Sequence, residues 1–105
     1  MDTSDAAAIV YVTYRGGPDT RFDRDYYVER HLPLVMKAWR RYGLESVAAF
    51  FPATQEAETI AICECRFRSA SAVDAAFRSP ETPEVMADVQ RFTDVEPGQA
   101  RAVTL

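Results

Sequence analysis

Most of this chain's capacity for chemistry lies in the stretch "FDRDYYVERHLPL", residues 22–34. It contains His31, the only histidine of the sequence, and Pro33 two positions later. An imidazole has an ordinary pKa of about 6.5, close to working pH, so His31 suits a general acid/base or a hydrogen-bond donor. Tyr27 precedes it by four residues, one helical turn on the same face. Its hydroxyl is placed to stabilise developing negative charge. His31 and Tyr27 are therefore the candidate catalytic residues. Tyr26 and Arg30 lie on the flank. The same residues also allow a purely structural reading, in which His31 bonds a backbone carbonyl and the tyrosines are core.

Aromatic side chains elsewhere could wall a pocket for a planar apolar substrate. Tyr11 or Tyr14 faces the histidine, depending on strand register, and Trp39, Tyr42, Phe50 and Phe67 supply further walls. The candidate substrate-binding set is Tyr11, Tyr26, Trp39, Tyr42 and Phe50. No carboxylate stands in an evident acid/base pair with another, and Asp23 and Asp25 are explained by a helix N-terminus. Cys63 and Cys65 form a C-x-C pair in a β-like run. Their strand spacing, about 6.5–7 Å, is too long for easy disulfide geometry. Two thiols and one histidine make a poor metal site. The glycines fall at 16, 17, 43 and 98, so no dinucleotide fingerprint exists. No metal and no cofactor are expected.

Composition narrows the function classes. The chain has 105 residues, 48% apolar, with a net charge of −4. Lys37, Arg40 and Arg41 form too small a basic cluster for nucleic acid. No apolar run approaches the roughly 18–20 residues that span a bilayer. The N-terminus "MDTSDAAAIV" carries acid where a secretory signal carries base. A single cytoplasmic domain binding a small apolar ligand is the expectation.

The elements that must position His31 are legible as periodicities. "AAAIVYVTYR", residues 6–15, reads as a strand ended by Gly16-Gly17-Pro18-Asp19. A helix follows, capped by Asp19 or Thr20. Tyr27, His31, Leu34, Val35, Ala38 and Tyr42 share one face of it, and Gly43 stops it. Pro33 lacks an N–H and crowds the carbonyl four residues back, so the helix should pause around residues 31–32 and restart at Pro33. That pause would free a carbonyl beside the imidazole.

Residues 44–52 and 58–67 read as two more strands joined by "ATQEA". A helix runs from about Ser71 to Arg78. Another begins with Thr82 as its cap and Pro83 at its first position. "QARAVTL" after Pro97-Gly98 is a short last strand. This order is the α+β, ferredoxin-like split β-α-β arrangement, with one antiparallel sheet and helices on one side. The second strand has apolar residues on both faces, Val47, Ala49 and Phe51 on one and Ala48 and Phe50 on the other. The uncovered face calls for a second copy, a homodimer.

With that order in place, "FDRDYYVERHLPL" after a strand and a glycine turn resembles the EthD family of dimeric α+β barrel proteins. "FTDVEPG", residues 92–98, resembles the segment before that family's last strand. The resemblance implies a two-subunit barrel with a pocket between each sheet and its helices. It also implies a place in catabolism beside an oxidising system. Wider relatives include cofactor-free monooxygenases, lactone isomerases, polyketide cyclases and haem-degrading enzymes. The expected function is a small cofactor-independent enzyme, an oxidoreductase or an isomerase or cyclase, acting on an aromatic or lactone-like metabolite. The alternatives are a non-catalytic ligand carrier for a separate oxidising system, and a haem protein with His31 as axial ligand, which requires a larger cavity.

Overall fold

The computed structural model describes residues 6–54 and 58–102. Most of the expected "ATQEA" loop and the end of the last strand lie outside the described residues. Strand β1, Ala8–Arg15, is central. It pairs antiparallel with β3, Thr59–Phe67, on one side and with β4, Gly98–Ala102, on the other. Strand β2, Leu44–Phe50, pairs antiparallel with the free side of β3, giving the order β2-β3-β1-β4. The ferredoxin-like order read from the sequence is the observed one.

Alternation along these strands decides which residues meet the helices. Val10 and Tyr14 of β1 and Ala61, Cys63, Cys65 and Phe67 of β3 are buried on that side. In β2 the register shifts between Leu44 and Ser46. Leu44 is buried and Val47 and Ala49 pack against the same core. The other face carries Tyr11 beside Glu64, and Thr13, Ile62 and Phe50 in one row. Phe50 is 53% exposed there.

The first helical segment departs from expectation at its start and at its proline. Asp23, not Asp19 or Thr20, is the cap: its carboxylate accepts from the Tyr26 N–H at 3.0 Å. Helix α1, Arg24–Tyr26, passes directly into a π turn, Tyr27–His31, and then into α2, Leu32–Trp39. The Leu32 N–H reaches back five residues to the Tyr27 carbonyl. Pro33 sits in the first turn of α2. The expected pause is thus a widened turn in a continuous helix, with α geometry resuming at Leu32. Widening relieves the clash between the proline ring and the preceding turn without abandoning the helical path. The buried residues of the π turn are Tyr27 and His31.

A 3₁₀ turn, Arg40–Tyr42, ends at Gly43 with φ +112°. A Cβ at Gly43 would lie 2.7 Å from the Ala72 Cβ, so glycine serves both the left-handed backbone and the close approach. Helix α3, Ala70–Phe77, starts at Ser69, whose hydroxyl accepts from the Ala72 N–H. Helix α4, Thr82–Asp88, continues as a 3₁₀ turn, Val89–Arg91. Thr82 is its first residue and not its cap. Its hydroxyl donates to the Ala76 carbonyl at 2.7 Å and accepts from Trp39 Nε1 at 3.1 Å. Among the described residues no helix is long and apolar enough to cross a membrane.

Candidate functional site

His31 enters the core from the π turn and is 4% exposed. Its Nδ1 lies 2.9 Å from Asp88 Oδ2 at the end of α4. The other carboxylate oxygen, Oδ1, accepts the Tyr26 hydroxyl at 2.8 Å. Arg91 Nε stands 3.5 Å from that same oxygen, at the exposed edge. The partner of the imidazole is therefore a carboxylate and not the freed backbone carbonyl expected beside the proline. Asp88 was missed because it is 57 residues away. Its signal was present: Val85, Val89 and Phe92 mark the inward face of α4 and its extension, and Asp88 falls on it.

This arrangement fixes the ring. With Nδ1–H donating to Asp88, the lone pair of a neutral imidazole lies on Nε2. Burial holds the His31 pKa below 6.5, against the opposing pull of the Asp88 hydrogen bond and charge. His31 is accordingly neutral at neutral pH, and Nε2 is a base. No hydrogen bond to Nε2 occurs among the described residues, yet no fully buried side-chain nitrogen or oxygen lacks a partner there. Nε2 must then touch water-sized space.

His31 lines a partly open chamber of about 40 Å³ between sheet and helices, together with Tyr14, Tyr27, Trp39, Cys63 and Cys65 among others. The Tyr27 ring stacks on the imidazole at 5.7 Å between centroids, and Phe92 covers it at 4.6 Å. Burial raises the pKa of both Tyr14 and Tyr27 far above the ordinary phenol value. Both stay protonated and act as donors, not bases. The sulfurs of Cys63 and Cys65 converge to 3.7 Å and share a hydrogen bond, both buried and with no disulfide between them. They are much closer than their backbone spacing suggests. Among the described residues no group of three or more His, Cys, Asp or Glu could hold a metal.

The structure sorts the remaining sequence candidates. Trp39 lines the chamber, and Tyr26 supports it through Asp88. Register selects Tyr14 from β1; Tyr11 points to the opposite face, where its hydroxyl bonds Glu64 at 3.2 Å. Phe50 lies on that opposite face as well. Tyr42 stands away from the chamber, donating to Glu81 at 2.7 Å. Tyr11, Tyr42 and Phe50 therefore do not line the site.

Residues 15–96 match the EthD domain model. Among solved structures, an EthD-like protein of Ralstonia eutropha JMP134 superposes with a TM-score of 0.80 at 23% identity, covering 93% of this chain and 91% of that one. An EthD family protein of Bacillus halodurans C-125 gives 0.73 at 16% identity, with coverage of 94% and 99%. SnoaB of Streptomyces nogalater, a cofactor-independent oxygenase, gives 0.64 at 9% identity, with coverage of 95% and 93%. No curated protein matches the sequence. The match across residues 15–96, on the four-stranded frame that holds His31, settles the family: the chain belongs to the EthD family.

Proposed function

We propose that this protein is a small cofactor-independent acid/base enzyme. The observation that carries this reading is the hydrogen-bonded line Tyr26–Asp88–His31, which fixes the orientation of an imidazole that burial keeps neutral, beside the chamber it lines. Nε2 takes a proton from an acidic C–H or O–H of the substrate. Asp88 stabilises the resulting imidazolium, and the protonated Tyr27 hydroxyl hydrogen-bonds the substrate anion. Return of the proton at another atom gives isomerisation; attack of the anion on a carbonyl of the same molecule, with the proton then returned to the resulting oxyanion, gives cyclisation. SnoaB, which shares the fold, supports the further reading as an oxidoreductase that needs no cofactor.

The chamber limits the substrate. About 40 Å³ is far below the roughly 150 Å³ apolar cavity that takes up benzene. An aromatic or lactone-like metabolite presents only its reacting edge to His31 in this conformation. A haem requires much more room than the chamber offers, and a carrier has no need of an imidazole fixed by a carboxylate and neutral at working pH, so the enzyme reading is the stronger. Two copies pairing through the open sheet face complete the barrel in this reading.

The test is proton exchange. Candidate carbon acids in deuterium oxide should exchange at the acidic position with wild-type protein, followed by NMR, and should cease to do so with His31→Asn. Equal exchange with both proteins would end the proposal.

A further inference from the structure

Outside the chamber lies an open cleft of about 560 Å³ along the end of α4 and the segment leading into β4. Three residues, Met86, Val89 and Pro97, line both spaces. They are a common wall between the cleft and the chamber that His31 lines. The three differ in how readily they can yield. Val89 is 8% exposed and stiff at χ1, and Pro97 is a ring. Met86 is 43% exposed, unbranched and free to change rotamer.

The polar side chains of the cleft include two carboxylates, Asp94 and Glu96. Asp94 is already engaged by Arg21 at 2.9 Å. Glu96 makes no ion pair among the described residues, and no cationic side chain lines the cleft. The net field at this mouth is negative, which disfavours anions.

We propose that this cleft binds the body of an organic substrate that carries no negative charge, and that Met86 is the movable part of the wall through which its reacting group reaches His31. The inference rests on the functional reading above in placing the reacting group at His31, but access itself is independent of the chemistry performed there. It resolves the mismatch between a chamber of about 40 Å³ and an organic metabolite, because the cleft outside has the volume the chamber lacks.

Trp39 provides a direct probe. It is the only tryptophan of the chain, lines the chamber, and is 5% exposed. Quenching of its fluorescence by acrylamide, neutral, and iodide, anionic, reports which solutes pass the wall. Met86→Ala should raise the acrylamide quenching constant at least twofold and leave iodide quenching nearly unchanged. Met86→Leu, which keeps the volume, should match wild type. Adding Glu96→Lys to Met86→Ala should then raise iodide quenching as well.

Acrylamide quenching unchanged in Met86→Ala would overturn Met86 as the door. Iodide rising as much as acrylamide in that single variant would overturn the selection against anions, as would no response to Glu96→Lys. Melting temperature, measured in parallel, separates a door from general loosening: a rise in quenching accompanied by a large loss of stability counts against the door. His31→Asn should quench as wild type does. Loss of proton exchange without change in quenching, or the reverse, therefore distinguishes failure of the chemistry from failure of the route.

Discussion

His31 on the π turn and Asp88 at the end of α4 face each other at 2.9 Å, although 57 residues separate them. The contact joins the first and last helical segments at the point where the first one widens. Removing the widened turn would change the depth and rotation at which His31 enters, so backbone and side-chain chemistry are coupled here. Pro33 specifies the turn, and the turn presents the base.

The first expectation concerns His31→Asn. Asparagine keeps one hydrogen-bonding group toward Asp88 but has no titrating nitrogen. Turnover of a true substrate should fall by a factor on the order of 10²–10⁴, the usual worth of a general acid/base. In wild type the acid limb of the pH–rate profile should have its midpoint below 6.5, because burial lowers the His31 pKa. The variant should lack that limb. A stable variant with normal turnover would make the histidine structural.

Asp88→Asn tests the partner. Asp88 raises the His31 pKa against the larger effect of burial, so losing its charge should depress that pKa further. His31 is the sole histidine, so one set of imidazole resonances reports the titration by NMR. The stability consequence follows in sign. The folded pKa lies below the unfolded value of about 6.5, so the neutral ring's contribution is full above that pH. It is lost as pH falls through the folded pKa. Wild-type melting temperature should therefore decline on acidification below about 6.5, and in Asp88→Asn the end of that decline should move lower. A His31 pKa that rises in the variant would contradict the assigned partnership.

Local signals carried the part of this molecule that was legible in sequence. The β1 run, the Gly43 stop and the Tyr27–His31 spacing each depend on neighbours within a turn or two, and each stands as read. What escaped depends on long-range placement. Tyr11 and Tyr14 both suit a pocket wall, and only strand register decides between them, since one step reverses the face. Phe50 suits a pocket wall as well, but its strand offers two apolar faces, and nothing local says which one meets the helices. Thr82 has a cap's chemistry, but the bend at Ser79-Pro80 turns its hydroxyl back to Ala76 and toward Trp39. The proline signalled an irregular helix correctly. Its form, a widened turn and not a gap, depends on packing that holds both sides in line.

Thr82→Val should expose the worth of that unplanned link. The substitution keeps the shape but removes the acceptor for Trp39 Nε1, which lies in a side chain only 5% exposed. An unpaired buried donor costs about 1–3 kcal/mol. At roughly 4–8 °C per kcal/mol for a domain of this size, thermal melting should drop by at least several degrees. An unchanged melting temperature would mean that water replaces the hydroxyl.

The final expectation is association through the open sheet face. Phe50, Ile62 and Thr13 lie side by side there, with Ile9 and Ala48 in adjoining rows. Ile9, Ile62 and Phe50 are absent from the hydrophobic cluster beneath the helices, so their apolar surface is unspent within one copy. Polar groups on the same face are partly satisfied already, Tyr11 by Glu64 and Arg66 by Glu45. A second sheet can therefore cover the face without stranding many charges. Sedimentation at micromolar concentration should give twice the 11.8 kDa mass of the chain. Phe50→Glu places a charge at the edge-strand end of the covered row, where a second sheet would strip it of water. The variant should sediment as a monomer while its far-ultraviolet circular dichroism stays that of the wild type. A wild-type protein that sediments as a monomer would leave Phe50 and Ile62 facing water and remove the basis for a two-copy barrel.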